Sequence, residues 1–162
     1  MDTASPHERP EFVAAATRAF LQITEVWQLT DVQRVSLLAC ALSESTITAW
    51  RAAPPPLMDW PTLQRVSLTV SIYEALARTF RRAPELHITW LTMPGDDGPF
   101  CGLSPLRFSI EGGADALAAL RHYVDAMNGG IGISIGVGRL FVERTAPSPT
   151  SPAPCEGQRR AL

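Results

Sequence analysis

The feature that most constrains the fold of this chain is a run of apolar residues at helical spacing between positions 61 and 80. Pro61 suits the first position of a helix, where its missing amide hydrogen costs nothing. Two apolar stripes follow side by side: Leu63, Val66, Val70, Tyr73, Ala77 and Phe80, and beside them Leu68, Ile72 and Leu76. Because an apolar face this wide must contact two partners, the pattern predicts the central helix of a helical bundle.

Further helices are predicted on both sides of this central helix. Capping residues and spacings of three and four predict them at about 12–28, 30–42, 44–52, 84–92, 104–110 and 114–127, the last two separated by Gly112-Gly113. The expected buried residues are Phe12, Ala16, Ala19, Ile23 and Val26 in the first helix, and Val32, Val35, Leu38 or Ala39, and Leu42 in the second. After residue 128 glycine alternates with Ile and Val, but no neighbouring segment offers a strand a partner. The fold class is therefore all-α.

The run Pro54-Pro55-Pro56 divides the chain, because three consecutive residues without amide donors end a helix. Proline runs are stiff, so we predict a linker at 54–60. The tail is rich in Pro, Ser, Ala and Arg and predicts no packed core. The expected organisation is a flexible N-terminus at 1–11, a helix-turn-helix domain at 12–53, a helical domain at 61–130 and an irregular or disordered extension at 131–162.

Composition argues against several classes of protein. The chain has 162 residues, 46% of them hydrophobic, and a net charge of −2, so it can bury a core but is unsuited to coating nucleic acid by charge alone. The polar start of the chain is no signal peptide, and no apolar run approaches the roughly 18 residues of a membrane span. Cys40, Cys101 and Cys155 are odd in number and far apart, so we expect no disulfide framework and a cytoplasmic location.

No set of residues points to catalysis, a metal or a cofactor. His7, His87 and His122 are scattered, and neither a nucleophile elbow nor a carboxylate pair stands out. The glycines of Gly130-x-Gly132 lack the preceding strand and following helix that a dinucleotide-binding loop needs. We therefore expect a protein that is not an enzyme and carries no cofactor.

Residues 31–52 have the spacing of a helix-turn-helix, whose second helix lies in the major groove of DNA. The residues expected to contact DNA are Ser43, Glu44, Ser45, Thr46, Thr48 and Arg51. Residues 1–60 carry seven acids and four arginines, a net charge of −3, and only Arg51 lies near the second helix. Because phosphate contacts supply much of the affinity for DNA, a helical packing unit without strong DNA affinity is an equal alternative.

A distinctive series of residues runs through the second half of the chain. Its most specific piece is Trp90-Leu91-x-x-Pro94 followed by Phe100-x-Gly102-x-Ser104-Pro105-Leu106. The rest of the series is Trp50-Arg51, Arg65, Leu68, Ile72, Tyr73, Leu76, Phe80, Gly112-Gly113, Leu117, Arg121-x-Tyr123-x-Asp125-Ala126 and Gly129-Gly130. In order and spacing, over about residues 12–130, the chain resembles the Xre/MbcA/ParS antitoxins, the immunity half of RES-type toxin–antitoxin pairs. It departs from them at Gly95 and Arg81 and in the 32 residues after Gly130.

The resemblance implies an Xre-like helix-turn-helix at 12–53 and a toxin-binding domain at 61–130. Such antitoxins bind a RES-domain toxin that consumes NAD and block its active site, and many also repress their own operon by binding operator DNA. The toxin-contacting residues that it implies are Trp90, Phe100, Ser104, Leu106, Tyr123, Asn128, Gly129 and Gly130. For Trp90, Phe100 and Leu106 the alternative is core packing around the 93–102 loop.

Two expectations about partners follow from the same resemblance. The protein would be a homodimer or a hetero-oligomer with its toxin, without membrane association. The alternative function is a helix-turn-helix transcriptional regulator in which DNA binding is the main role.

Overall fold

The computed structural model of the chain describes residues 9–38, 42–95 and 98–129. These residues form α1 (Pro10–Val26), α2 (Asp31–Leu38), α3 (Glu44–Ala52), α4 (Trp60–Thr79), α5 (Leu86–Thr92), a 3₁₀ turn (Gly98–Phe100) and α6 (Pro105–Gly129). No β-strand occurs in these three ranges, so the all-α prediction is confirmed for them. Most of the predicted flexible N-terminus (residues 1–8), Gly130 and the predicted extension at 131–162 lie outside the described residues.

Helix α4 is the centre of the fold. The Asp59 carboxylate accepts a hydrogen bond from the Thr62 amide at 3.1 Å, and Pro61 lies in the first turn, so the helix begins where the sequence predicts. Val66, Ile72 and other apolar residues of α4 are buried between α1 on one side and α6 on the other. The prediction that this helix contacts two partners is therefore confirmed.

Helix α1 buries a face that matches the predicted one only in part. Phe12 and Val26 are 44% and 45% exposed, whereas Val13 and Phe20 are completely buried. Thr17 joins the buried face, and its hydroxyl donates to the Val13 carbonyl oxygen at 2.8 Å, which satisfies the buried oxygen. The prediction was wrong for Phe12 and Val26 because both faces of α1 are apolar or small, so that periodicity could not distinguish them, whereas the predicted Ile23 is buried.

The second helix also departs from the predicted pattern. Val32 is 56% exposed, and the charged Arg34 is buried in its place. The Arg34 Nε donates to the Thr24 hydroxyl at 2.9 Å, and its Nη1 forms an ion pair with Asp31 at 2.5 Å. A buried arginine is tolerated here because its donors have partners within the fold.

Glycine decides the path of the chain in α6. Gly113 has φ 64° and ψ −144°, a backbone conformation that residues with a side chain rarely adopt, and it interrupts the helix between its two halves. The predicted break at Gly112-Gly113 is thus confirmed.

The two predicted halves of the chain share one hydrophobic core. Trp27 and Leu37 from the first half are buried in the same cluster as Leu76 and Leu117 from the second, and Met58 of the predicted linker joins them. Helix α2 also packs against α6. The limits of the two domains remain predictions.

One cysteine differs from expectation. Cys101 is disulfide-bonded, and the other two cysteines lie outside the described residues.

Candidate functional site

The predicted DNA-contacting residues lie on α3 and at Ser43, the residue that precedes it. Ser43 precedes the helix in extended conformation, and its hydroxyl oxygen lies 2.6 Å from that of Ser45 and 3.3 Å from that of Thr46. The Ser43 hydroxyl therefore hydrogen-bonds to both other side chains at the helix N-terminus. Glu44 and Thr48 are exposed beside them. The residues form one polar surface, and their role in binding DNA remains a prediction.

Arg51, at the end of α3, is held by a residue that the sequence analysis did not identify. Its Nη2 lies 2.5 Å from Oδ1 of Asp31 and its Nη1 2.7 Å from Oδ2, a bidentate ion pair across the two helices. The hydrogen bond from Arg51, with a further contribution from Arg34, lowers the pKa of Asp31 to about 2, although burial acts in the opposite direction. The carboxylate therefore occupies the donors of Arg51 and offsets part of the positive charge near this helix, to which Arg34 and Arg18 also contribute. No spacing rule links residues 31 and 51.

An aromatic cluster forms where the sequence predicts a toxin-binding domain. We use this name for Trp90, Phe100, Phe108 and Tyr123. The rings of Trp90 and Tyr123 are nearly parallel, with centroids 6.3 Å apart, and Phe100 meets Tyr123 edge-to-face at 5.1 Å. Phe100 also lies 5.6 Å from Phe108. Edge-to-face and offset pairs are the favoured arrangements of aromatic rings, so the cluster ties the loop after α5 to both halves of α6.

Gly98 allows the loop to approach this cluster. Its φ is 72°, and a Cβ atom at this position would lie 2.5 Å from Cε2 of Tyr123. A side chain is therefore excluded by backbone conformation and by space together. Part of the loop, residues 96–97, lies outside the described residues.

The predicted toxin-contacting residues separate into buried and exposed groups. Phe100 and Leu106 are 3% and 8% exposed and pack in the core, whereas Trp90 and Tyr123 are half-buried in the aromatic cluster. Ser104 caps α6, because its hydroxyl accepts a hydrogen bond from the Arg107 amide at 3.2 Å. The structural roles of these residues are thus clear, and their contact with a toxin remains a prediction.

The exposed group lies at the end of α6, where Asn128 and Gly129 form what we call the α6 end. The Asn128 amide nitrogen donates to the Ala75 carbonyl oxygen at 3.0 Å, and its amide oxygen accepts from the Thr79 hydroxyl at 3.0 Å. These bonds fix the α6 end beside the last turn of α4. Gly129 is exposed, with no atom within 4 Å of the position of an added Cβ. Gly130 lies outside the described residues.

His87 is a buried histidine that joins the two halves of the chain. Its Nε2 accepts a hydrogen bond from Trp27 Nε1 at 3.1 Å, and its ring lies 5.2 Å from that of Tyr73 and 6.4 Å from that of Phe80. Burial lowers the pKa of His87. An imidazole that accepts from Trp27 must be neutral at Nε2, so its evident role is to hold α1 against α5. This agrees with the interpretation of His87 as a packed residue.

The described part of the chain offers neither a metal site nor a membrane span. No group of three or more His, Cys, Asp or Glu side chains within it is placed to hold a metal ion. None of the described helices combines the length and apolar character that crossing a bilayer requires.

Comparison with known proteins gives one informative relative. No protein-family model matches the chain. The chain is 31% identical over 127 residues to the "Uncharacterized protein y4oB" of Sinorhizobium fredii (strain NBRC 101917 / NGR234). The aligned residues make up 78% of this chain and 95% of the relative. With identity at this level over nearly the whole relative, the chain belongs to the same family as y4oB.

Proposed function

We propose that this protein is an antitoxin that binds a RES-domain, NAD-consuming toxin and blocks its active site. The observation that supports the proposal most is the way the resembling residues come together. Trp90, Phe100 and Tyr123, distant in sequence, pack into one aromatic cluster, and α6 continues from that cluster to the exposed α6 end. The residues that carry the resemblance thus build one packed unit that leads to exposed residues, Asn128 and Gly129, and a rigid unit with an exposed surface suits a steric inhibitor.

In this proposal the buried residues and the exposed residues have separate tasks. Phe100 and Leu106 set the shape of the unit, and Ser104 fixes the start of α6. Asn128 and Gly129 make the contact with the toxin, because they are exposed and held in place by α4. A preorganised surface loses little conformational entropy on binding, which favours tight association. The protein makes and breaks no bond itself, and it acts as a homodimer or a hetero-oligomer with the toxin.

Co-expression with the protein encoded by the adjacent reading frame tests the proposal. The wild-type chain should restore growth that the neighbouring protein inhibits, and the two should co-purify. Gly129→Trp should abolish both effects, because the ring would stand on the surface assigned to the toxin, and an added Cβ at Gly129 meets no atom of the described residues within 4 Å. Ala15→Trp, at an exposed position of α1, is the matched control and should keep both. Failure of the wild-type chain to rescue or bind would refute the function, whereas rescue by Gly129→Trp would refute only the assignment of the α6 end.

A second function, repression of its own operon, has separate support in the first half of the chain. Helices α2 and α3 pack against each other, and Ser43, Glu44 and Ser45 at the start of α3 are exposed. The bond between Arg51 and Asp31 weighs against strong phosphate binding, because it offsets the local positive charge. Binding of operator DNA is therefore the weaker of the two proposals.

A mobility shift on the protein's own promoter tests this second function. Thr48→Glu places a negative charge on the exposed face of α3, and it should abolish the shift if α3 reads DNA. Thr92→Glu is the matched control, because both threonines are exposed and bond only to their own helix, at the Glu44 and the Ile88 carbonyl oxygens respectively. Equal shifts with both variants, or no shift with the wild-type chain, would exclude α3 as a reading helix.

A further inference from the structure

The arginines of the described residues form two groups, those that bond to other residues of the chain and those that do not. Most interact with other residues of the chain: Arg9, Arg34, Arg51, Arg65, Arg107 and Arg121. The side chains of the others are exposed and form no ion pair or hydrogen bond with any described residue: Arg18, Arg78, Arg81 and Arg82. An arginine without an internal partner keeps all its donors available for a foreign one.

Three of the four unengaged arginines lie together at one edge of the molecule. Arg78 is in the last turn of α4, and Arg81 and Arg82 are in the turn that follows. This edge is also where α6 ends, because Asn128 is bonded to Ala75 and Thr79 of α4. We call Arg78, Arg81 and Arg82 the basic edge. It borders the α6 end.

Nearby acids reduce the positive charge of this edge only in part. Asp125 of α6 is already paired with Arg121, whose Nε lies 2.7 Å from Oδ2. Glu74, one turn before Arg78, and Glu85 are the two acids among residues 74–85, against three arginines, so the segment keeps a net positive charge. The first sixty residues, by contrast, carry a net negative charge. Unpaired positive charge in the described chain is thus concentrated beside the α6 end.

The form of the basic edge favours a protein partner over nucleic acid. Tight binding to nucleic acid draws on many phosphate contacts along the polymer, whereas three arginines at one end of the molecule provide few. Guanidinium groups bind carboxylates in bidentate pairs, and arginine is enriched at protein interfaces. Gly129 is exposed and leaves room for close approach of a partner.

We propose that the basic edge is a docking surface for an acidic patch on the protein partner. This inference rests on the proposed function, in which the partner is the toxin, and it specifies the chemistry of the toxin surface. Aspartate and glutamate carboxylates border the cleft that the α6 end enters. The arginines speed the encounter by long-range attraction and orient the two proteins before the α6 end makes contact.

Binding of the purified full-length chain to the protein encoded by the adjacent reading frame tests the inference. Arg81→Glu/Arg82→Glu should weaken the affinity by about 10- to 100-fold, mainly through slower association, and should flatten its dependence on salt. Ala15→Glu/Arg18→Glu/Ala49→Glu changes the net charge equally at exposed positions away from the edge, and its affinity should stay within about two-fold of the wild type. Circular dichroism checks that both variants are folded.

Each outcome decides a different question. Equal affinities of the edge variant and the control variant would overturn the inference while the proposed function stands. Loss of binding to duplex DNA together with unchanged binding to the neighbouring protein would assign the edge to nucleic acid and would also overturn it. If the wild-type chain does not bind the neighbouring protein, both the proposed function and the inference fail.

Discussion

Replacing Gly98 by alanine tests whether the aromatic cluster is the rigid unit on which the proposed function rests. At φ 72° a residue with a Cβ atom is strained by about 1 to 2 kcal/mol. The new Cβ would also lie 2.5 Å from Cε2 of Tyr123, against an ordinary contact distance of at least 3.4 Å. The ring must therefore move, and overpacking of this kind costs about 1 to 3 kcal/mol.

The two contributions together predict that Gly98→Ala destabilises the fold by about 2 to 5 kcal/mol. For a chain of this length the loss corresponds to a fall in Tm of roughly 5 to 15 °C. Urea unfolding followed by tryptophan fluorescence measures it, and Trp90 reports directly because it stacks on Tyr123. Gly95→Ala is the matched control in the same loop, since no atom lies within 4 Å of its added Cβ.

A double variant separates the two contributions. In a Tyr123→Ala background the steric conflict is absent, so Gly98→Ala should cost only the backbone strain of about 1 to 2 kcal/mol. Equal stability of Gly98→Ala and Gly95→Ala would refute the reasoning. So would an unchanged cost of Gly98→Ala after Tyr123 has been removed.

Three further perturbations have defined outcomes. The pKa of His87 in the folded state lies below its ordinary value of 6.5, so the unfolded chain binds a proton at higher pH than the folded chain does. The free energy of unfolding measured with urea should therefore fall as pH is lowered from about 7 toward 5. In His87→Gln this pH dependence of stability should disappear. Asp31→Asn should lower the free energy of unfolding by about 1 kcal/mol at neutral pH. Because Arg51 holds the pKa of Asp31 near 2 in the folded state, the variant should also lack the loss of stability that Asp31 causes between about pH 4 and pH 2. The same dependence of stability on pH in the wild type and in Asp31→Asn would contradict this. Phe20→Ala should lower Tm through a cost of about 3 to 5 kcal/mol and Phe12→Ala should cost under about 1 kcal/mol; the reverse order would contradict the burial of α1.

The helices themselves follow from residues close together in the chain. The stripes after Pro61 predict α4, the glycines at 112 and 113 predict the break in α6, and Ser43 marks the start of α3. These predictions succeed because a helix is built from bonds between residues about four positions apart, so that a short stretch of sequence contains the interactions that decide it. The all-α fold class could be predicted from these local patterns alone.

The candidate site depended on the tertiary structure. Arg51 meets Asp31 across 20 residues, Asn128 reaches Ala75 across 53, and Trp27 bonds to His87 across 60. Spacing rules along the chain do not extend over such separations, and two similar apolar faces of α1 leave its orientation open until α4 is in place. The sequence by itself therefore determined which segments are helical and suggested the family that the chain resembles. Packing among distant residues decided which side chains are buried, which arginines remain unengaged and where α6 ends.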